Sequence, residues 1–417
     1  MDDLLTLFPP GSDHDTDGML RVGGCRADVL AQRFGTPVLV VAEPALRSRA
    51  REYRAELVAR RPRSRVVFAS KAFPATAVQR VMVEEGLGLD VAGGGEIVIA
   101  LRAGVDPALI VHHGNAKGDE EIAMAVEHGI GLVVVDNADD VDRLEATVPV
   151  GHAQDVLVRV IPGVTADTHA HVLTGHEGSK FGLMPADAAR LIARIEGSAK
   201  LRMRGLHVHV GSQILDVEPF ADSVAPVAAL GEFEVYDLGG GLGARYTYAD
   251  RPPTVAAYLD ALIGAAREHL PLDAEVIVEP GRSMVASAAF TLYRVVTVKR
   301  GAVTFVAVDG GMGDNLEVAL YDQRFEAAIA DRFGGAEEVT VVGRHCESGH
   351  VLVDGVRLDA PRVGDLLAVP ATGAYCHTMA NNYNGNRRIP VIFAGDGAAR
   401  TVVRRETWDD LLARDVS

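Results

Sequence analysis

The chain has 417 residues, 48% hydrophobic and 24% charged, enough to bury a large core shared between two domains or one large and one small. A formal net charge of −16 argues against a binder of nucleic-acid backbones, and three cysteines (Cys25, Cys346, Cys376) without a C-x-x-C pair exclude a disulfide framework or a zinc ribbon. No run approaches the roughly 18 apolar residues of a membrane span, and the acidic start "MDDLLTLFPPGSDHDTDG" makes a poor signal or transit peptide, so a cytoplasmic protein is expected.

Residues 1–33 read as an N-terminal segment, linker-like over its first 20 residues. The run "GTPVLVVAE" that follows is strand-like, and residues 34–43 are expected to join a β domain further along the chain. Over residues 44–284 short β-rich runs alternate with helical stretches. The runs are "RVVFAS", "LGLDVA", "LIVHHG", "GLVVVD", "VLVRVIP", "MRGLHVHVG", "FEVYDLGGG" and "EVIVEPG". Between them lie helix patterns such as "PATAVQRVMVEEG", "GGGEIVIALRAG", "DEEIAMAVEHG", "NADDVDRLEATV" and "TVAAYLDALIGAAREHL". Eight such units favour a closed (β/α)8 TIM barrel over an open doubly wound sheet. After residue 284 the texture changes to strands and turns ("AFTLYRVVTVKR", "VTFVAVDGG", "EVTVVGR", "HVLVDGVRL", "IPVIFAG"), which predicts a C-terminal β domain over 285–417.

The barrel strands end in reactive residues: Lys71, Asp90, His113 with Asn115, Asp136, Arg159, His209, the triplet Gly239-Gly240-Gly241, and Glu279. One polar strand end is commonly a cap or turn. Many of them on the carboxyl rim of one barrel, where such barrels carry their active sites, make a site. Lys71 is the least ordinary, because a core strand in "VFASKAFP" delivers an amine to its own end, and a seat of low dielectric is expected for it. The glycines of "DLGGGLG" can be a tight turn or can present N–H groups to an oxyanion. His207 and His209 share a strand face and read equally as a metal fragment or as satisfied core histidines. A phosphate loop, a strand-end lysine and the carboxylate of "EPGR" together suggest pyridoxal 5′-phosphate, which needs an amine for covalent attachment, an acidic partner for its pyridine nitrogen and phosphate donors.

These residues carry a resemblance. In order, "ASKAFP", "LDVAGGGEI", "HHGNAKGDEEI", "THAHVLTGHEGSKFGL", "GLHVHVGSQI", "DLGGGLG", "EPGRS", "VDGGMGDN", "HCESGH" and "GAYCHTMANNYN" resemble the diaminopimelate decarboxylases, among the alanine-racemase-like (fold type III) pyridoxal-phosphate enzymes that include eukaryotic ornithine decarboxylase. The resemblance runs from about residue 34 to the end of the chain. It implies a decarboxylase that converts meso-2,6-diaminopimelate to L-lysine and CO2. Lys71 would attach the cofactor, Glu279 would pair with the pyridine nitrogen, His209 would stack on the ring, and Asp90 would support the network around it. Ser212, Gly239, Gly240, Gly241, Gly281, Arg282 and Tyr383 would hold the phosphate or its surroundings. Cys346 would return a proton to the α-carbon, and Glu347 would bind the remote amino group of the substrate. Both would act across a head-to-tail homodimer with shared sites. Tyr321, Tyr375, Tyr383 and Arg282 are further substrate or rim contacts, with aromatic packing open for Tyr321 and Tyr375; Cys25 reads as a buried inert thiol. No metal is implied.

The chain departs from the family pattern R-x-A-L-Y at Glu317 in "EVALY", where a carboxylate replaces an arginine that clamps the distal carboxylate of the substrate. His350 stands where an aspartate is usual, and "YNGNRRIP" departs from Y-N-x-x-x-R-P. Two readings of Glu317 follow. Arg282, Arg324 or Arg344 compensates, or the substrate is a diamino acid or pathway intermediate whose distal carboxylate is absent or modified. A racemase, a non-catalytic pyridoxal-phosphate protein and a barrel metallohydrolase are the remaining classes. The "HCESG" motif argues against the first two, and Lys71 with the glycine triplet against the third.

Overall fold

The computed structural model describes residues 2–164 and 178–416, so most of the motif at 168–183 lies outside the described residues. Two compact units divide the chain, one of residues 49–243 and 252–282, the other of residues 1–48, 244–251 and 283–417.

The first unit is the expected barrel. Its strands are β1 (Ser64–Ala69), β2 (Gly88–Val91), β3 (Ile110–His112), β4 (Leu132–Val135), β5 (Gln154–Val160), β6 (Leu201–Val208), β7 (Val235–Asp237) and β8 (Glu275–Val278). All neighbours pair in parallel, β8 returns to β1, and the sheet closes. Strands covered on both faces read as unbroken apolar runs, and β3 and β4 are buried at every position. Val67, Val111, Leu132, Val134, Leu157, Val235 and Ile277 form one buried cluster contributed by six of the strands, an apolar core at the level of the strands themselves.

The helices follow from local signals. Val255–His269 starts at Thr254, whose hydroxyl accepts the N–H of Ala257 at 3.1 Å. It buries Val255, Tyr258, Leu259, Leu262, Ile263 and Ala266, the stripe of a 3.6-residue period, and ends with Arg267 and His269 against its carbonyl pole. Asp119–Glu127 opens on three acidic residues, and the Glu121 carboxylate accepts the N–H groups of Gly118 and of Gly94, both at 2.9 Å.

The second unit is a mixed sheet. Its path runs Val351–Leu358, Glu337–Val342, Phe305–Val308, Ala289–Lys299, Val38–Ala42, Val391–Gly395, Ala398–Val403; off this path Leu366–Pro370 pairs with Ala289–Lys299, and Ala328–Ile329 pairs with Leu366–Pro370. The early strand Val38–Ala42 lies in its middle, antiparallel to Ala289–Lys299 and parallel to Val391–Gly395, as its wholly apolar run predicts. The N-terminal residues differ from the linker-like expectation. Asp13–His14, Leu20–Val22 and Cys25–Arg26 form a small sheet, and Ala27–Phe34 a helix. Leu7, Phe8, Leu20 and Val22 are buried, and the Phe8 ring meets Phe290 edge-on at 5.8 Å. Burial of these isolated apolar groups offsets the ordering of an otherwise polar segment.

Candidate active site at the carboxyl rim of the barrel

Strand β1 hands over to a single 3-10 turn, Ser70–Ala72, that buries Ser70 and Ala72 and leaves Lys71 exposed. The charge of Lys71 still reaches inward, helping to hold His209 neutral and opposing the upward shift of Asp90. The turn is fixed from below. The Ala69 N–H donates to the carbonyl of Pro280 at 3.2 Å, and a Cβ on Gly281 would stand 2.9 Å from that of Ala69. Only glycine fits between the lysine turn and the turn after β8.

Four buried side chains meet beneath this rim. The donor atoms of His113, His207, Asp237 and Glu279 all lie within 4.8 Å of one another. His113 Nε2 is 2.6 Å from Glu279 Oε1, and His207 Nε2 is 3.4 Å from Oε2. The two imidazoles meet edge to face at 4.7 Å. Asp90 completes the group, 3.8 Å from His113 Nε2. Such a donor set can also take a divalent metal.

Buried carboxylates this close cannot all ionise. Burial alone would raise Glu279, but the charge and hydrogen bond of His113, with the hydrogen bond of His207, outweigh it and hold Glu279 well below the usual carboxylate range. Burial and the adjacent Glu279 push Asp237 well above that range. Burial lifts Asp90 to about 6, with Glu279 adding to it and His113 opposing. The anion of the cluster therefore sits on Glu279. Burial drives His207 down to about 3, so it is neutral and gives its Nε2 proton to Glu279.

Burial, the charge of Lys71 and that of Arg159 hold His209 well below the ordinary imidazole value. Its Nδ1 accepts the N–H of Gly240 at 3.3 Å, which places the ring proton on Nε2. Gly239 donates its N–H to Asp237 Oδ1 at 3.0 Å. Two amides of the glycine triplet are thus engaged within the protein, and the expected phosphate cradle cannot rest on all three. The triplet has another constraint, because a Cβ on Gly240 would lie 2.0 Å from the carbonyl oxygen of Glu279. Arg282 is buried, and its Nε donates to Ser212 Oγ at 3.3 Å.

Arg159, quoted only as a strand end, proves central. Its register partner is His207, whose partner in turn is Asp237, so β5, β6 and β7 present the three side by side. The Arg159 guanidinium lies 4.6 Å over the Phe181 ring with Asp136 at 3.9 Å. Lys117 and Asp140 were not singled out in the sequence. They form a wholly buried ion pair of 2.7 Å, and Lys117 Nζ also donates to the Gly114 carbonyl. That pair pins the loop after β3, which carries His113. A lysine in a short motif gives no sign of burial until its partner is known.

In the second unit Cys346 and Glu347 are exposed on one loop, and the Cys346 N–H donates to Asn384 Oδ1 at 2.9 Å. Tyr383 is found beside them, its hydroxyl 3.4 Å from Glu347 Oε2 and its ring stacked on His345 at 5.9 Å. Tyr321 is half-buried, and Tyr375 is half-buried with φ of +61°, a left-handed conformation that costs a bulky residue about 1–3 kcal/mol and often marks a functional position. Cys25 is buried, as expected of a packed thiol. Glu317 is fully buried, with the Tyr246 hydroxyl 3.5 Å from its Oε2.

Known proteins agree with this architecture. Residues 44–286 match the pyridoxal binding domain of the pyridoxal-dependent decarboxylases. The diaminopimelate decarboxylase of Actinosynnema pretiosum subsp. auranticum is 44% identical, the alignment covering 98% of this chain and 95% of that protein. The Bacillus subtilis enzyme of the same name is 40% identical, with 97% of each chain covered. Among solved structures, diaminopimelate decarboxylase from M. jannaschii in co-complex with L-lysine superposes with a TM-score of 0.91 at 31% identity, covering 98% of both chains. The chain belongs to the diaminopimelate decarboxylase family.

Proposed function

We propose that this chain is a pyridoxal 5′-phosphate-dependent carboxy-lyase that converts meso-2,6-diaminopimelate to L-lysine and CO2, in lysine biosynthesis. The observation that carries the reading is a buried Glu279 carboxyl 2.6 Å from His113 Nε2 and an exposed amine on Lys71, on two turns locked together through Gly281. The residues fit the cofactor: an amine for attachment, a carboxylate kept ionised for the pyridine nitrogen, a neutral imidazole at His209, and close-packed backbone at Gly240 and Gly281. When bound, the cofactor supplies a protonated ring that takes up the electron pair left on the α-carbon as CO2 departs.

The protein's own groups do the rest. Lys71 Nζ would hold the cofactor covalently. Glu279 would keep the pyridine nitrogen protonated, with Asp90 supporting the surrounding network. Ser212, Gly239, Gly240, Gly241, Gly281 and Arg282 would hold the phosphate or its surroundings, and the part-buried hydrogen bond from Arg282 to Ser212 supports that role. His209 would cover the ring face. Cys346 Sγ returns the proton to the α-carbon and is reprotonated from solvent, and Glu347 receives the remote ammonium, with Tyr321 and Tyr383 as further contacts. Both Cys346 and Glu347 serve the active site of the partner subunit in a head-to-tail homodimer; their exposure on one loop supports this. Among the described residues no helix is long and apolar enough to cross a membrane, in keeping with a cytoplasmic enzyme.

The test is borohydride reduction of the yellow holoenzyme followed by peptide mapping. The label belongs on Lys71, and Lys71→Ala should stay folded yet lose the label and nearly all CO2 release. Label on another lysine, or a protein that takes up no cofactor, overturns the proposal.

A further inference from the structure

We propose that His113 is a positioning residue, whose ring proton fixes Glu279 as the oriented anion that the cofactor's pyridine nitrogen requires. The inference rests on the reading of Glu279 as that partner and goes beyond it, because it assigns the source of the charge.

A lone carboxylate at this depth takes a proton, since desolvation penalises its charged form. Glu279 has two imidazole neighbours, but they are unequal. The contact from His113 is 2.6 Å, in the range of strong charge-assisted hydrogen bonds, whereas that from His207 is 3.4 Å, at the edge of any hydrogen bond. His113 is therefore the donor that matters. Asp90 Oδ1 lies 3.8 Å from the same nitrogen, beyond hydrogen-bond distance, so Glu279 at 2.6 Å is the carboxyl that Nε2 bonds.

His113 is itself held from two directions. Its backbone N–H donates to the Val91 carbonyl at 2.7 Å, which ties it to the end of β2. The loop that follows is anchored by Lys117, wholly buried, whose ammonium bridges the Gly114 carbonyl and Asp140. Asp140 in turn accepts the N–H of Asp136 at 3.0 Å, at the end of β4. Three consecutive strand ends thus set one imidazole. A histidine that merely fills space needs no such support, and its exchange for another aromatic ring is tolerated.

That difference is measurable. His113→Phe keeps a ring and removes the donor; His113→Gln keeps an amide donor. In holoenzyme loaded with 15N-labelled pyridoxal phosphate, the pyridine nitrogen resonance of wild type should be that of a protonated ring. In His113→Phe it should move toward the unprotonated position, while borohydride still fixes the cofactor to Lys71. The decarboxylation kcat should fall by about a hundredfold with KM changed much less, and His113→Gln should recover most of both signals. A folded His113→Phe protein with an unmoved resonance overturns the role of His113. The reading of Glu279 is judged separately, by Glu279→Gln: if that variant leaves the resonance protonated, Glu279 is not the nitrogen's partner and the inference falls with it.

Discussion

The N–H of Ala69 donates to the carbonyl of Pro280 at 3.2 Å, and this one bond joins the turn bearing Lys71 to the turn that follows Glu279. The two reactive groups are set relative to each other by backbone, and Gly281 is the residue that allows the approach. A valine there would press its Cβ to 2.9 Å from Ala69 Cβ and 3.3 Å from Ala72 Cβ, so the lysine turn must move. Gly281→Val should weaken cofactor binding by at least about tenfold, or 1.4 kcal/mol, with the far-ultraviolet dichroism of the barrel kept. Titration of the apoprotein with pyridoxal phosphate, followed by its visible band, measures this. Unchanged affinity would mean that the turn tolerates displacement.

The exposed position of Cys346, whose link to Asn384 uses the backbone N–H rather than the thiol, lets the side chain be removed without loosening the loop. Lys71→Ala and Cys346→Ala should each be inactive as homodimers. Mixed under random subunit exchange, they should regain up to about a quarter of the wild-type sites, because each heterodimer keeps one complete site of two. Exchange proven by tagged subunits without recovery of CO2 release would confine Cys346 to its own subunit.

Burial pushes the Asp314 carboxyl up to about 7, with the Asp309 carboxylate adding and the Gly311 N–H bond, Arg405 and Arg344 opposing. The folded value exceeds the unfolded one, so folding favours the protonated form. The resulting penalty is absent below the ordinary value of 3.8, grows as pH rises, and is complete above about 7. Asp314→Asn keeps an oxygen for the Gly311 N–H, 2.9 Å away, and cannot ionise. The difference in Tm, variant minus wild type, should be more positive at pH 8 than at pH 4.5 by roughly 2 °C or more. An equal difference at both pH values would show that Asp314 ionises normally.

The barrel was legible because each strand is a β-branched run closed by a polar residue, and that pattern survives in one dimension. The early strand Val38–Ala42 was legible for the same reason. Residues 1–33 were not. Leu7, Phe8, Leu20 and Val22 are buried but follow no period, and their strands are two or three residues long. Within the site, Lys71, His209 and Glu279 stood out through their motifs. The weight of Arg159, His207 and Asp237 comes from cross-strand register, which a single sequence does not display.

Glu317 offers a last test, of substrate choice. Were its carboxylate set against the distal carboxylate of diaminopimelate, at ~4 Å and an effective dielectric of ~20 the repulsion would be roughly 4 kcal/mol before screening. Neutralising it would then raise kcat/KM for that substrate by tenfold or more, since ~1.4 kcal/mol suffices. Glu317 is fully buried, and the Tyr246 hydroxyl, itself on a buried ring, lies 3.5 Å from its Oε2. Glu317→Gln keeps the shape and an oxygen for that hydroxyl while removing the charge. The expected outcome is that the ratio of kcat/KM for meso-diaminopimelate to that for D-lysine or D-ornithine changes by less than about threefold, or ~0.65 kcal/mol. CO2 release from each amino acid, with wild type and variant side by side, supplies the ratio. A gain of tenfold or more for meso-diaminopimelate in Glu317→Gln would instead make this carboxylate the determinant of specificity, and the native substrate a diamino acid without the second carboxylate.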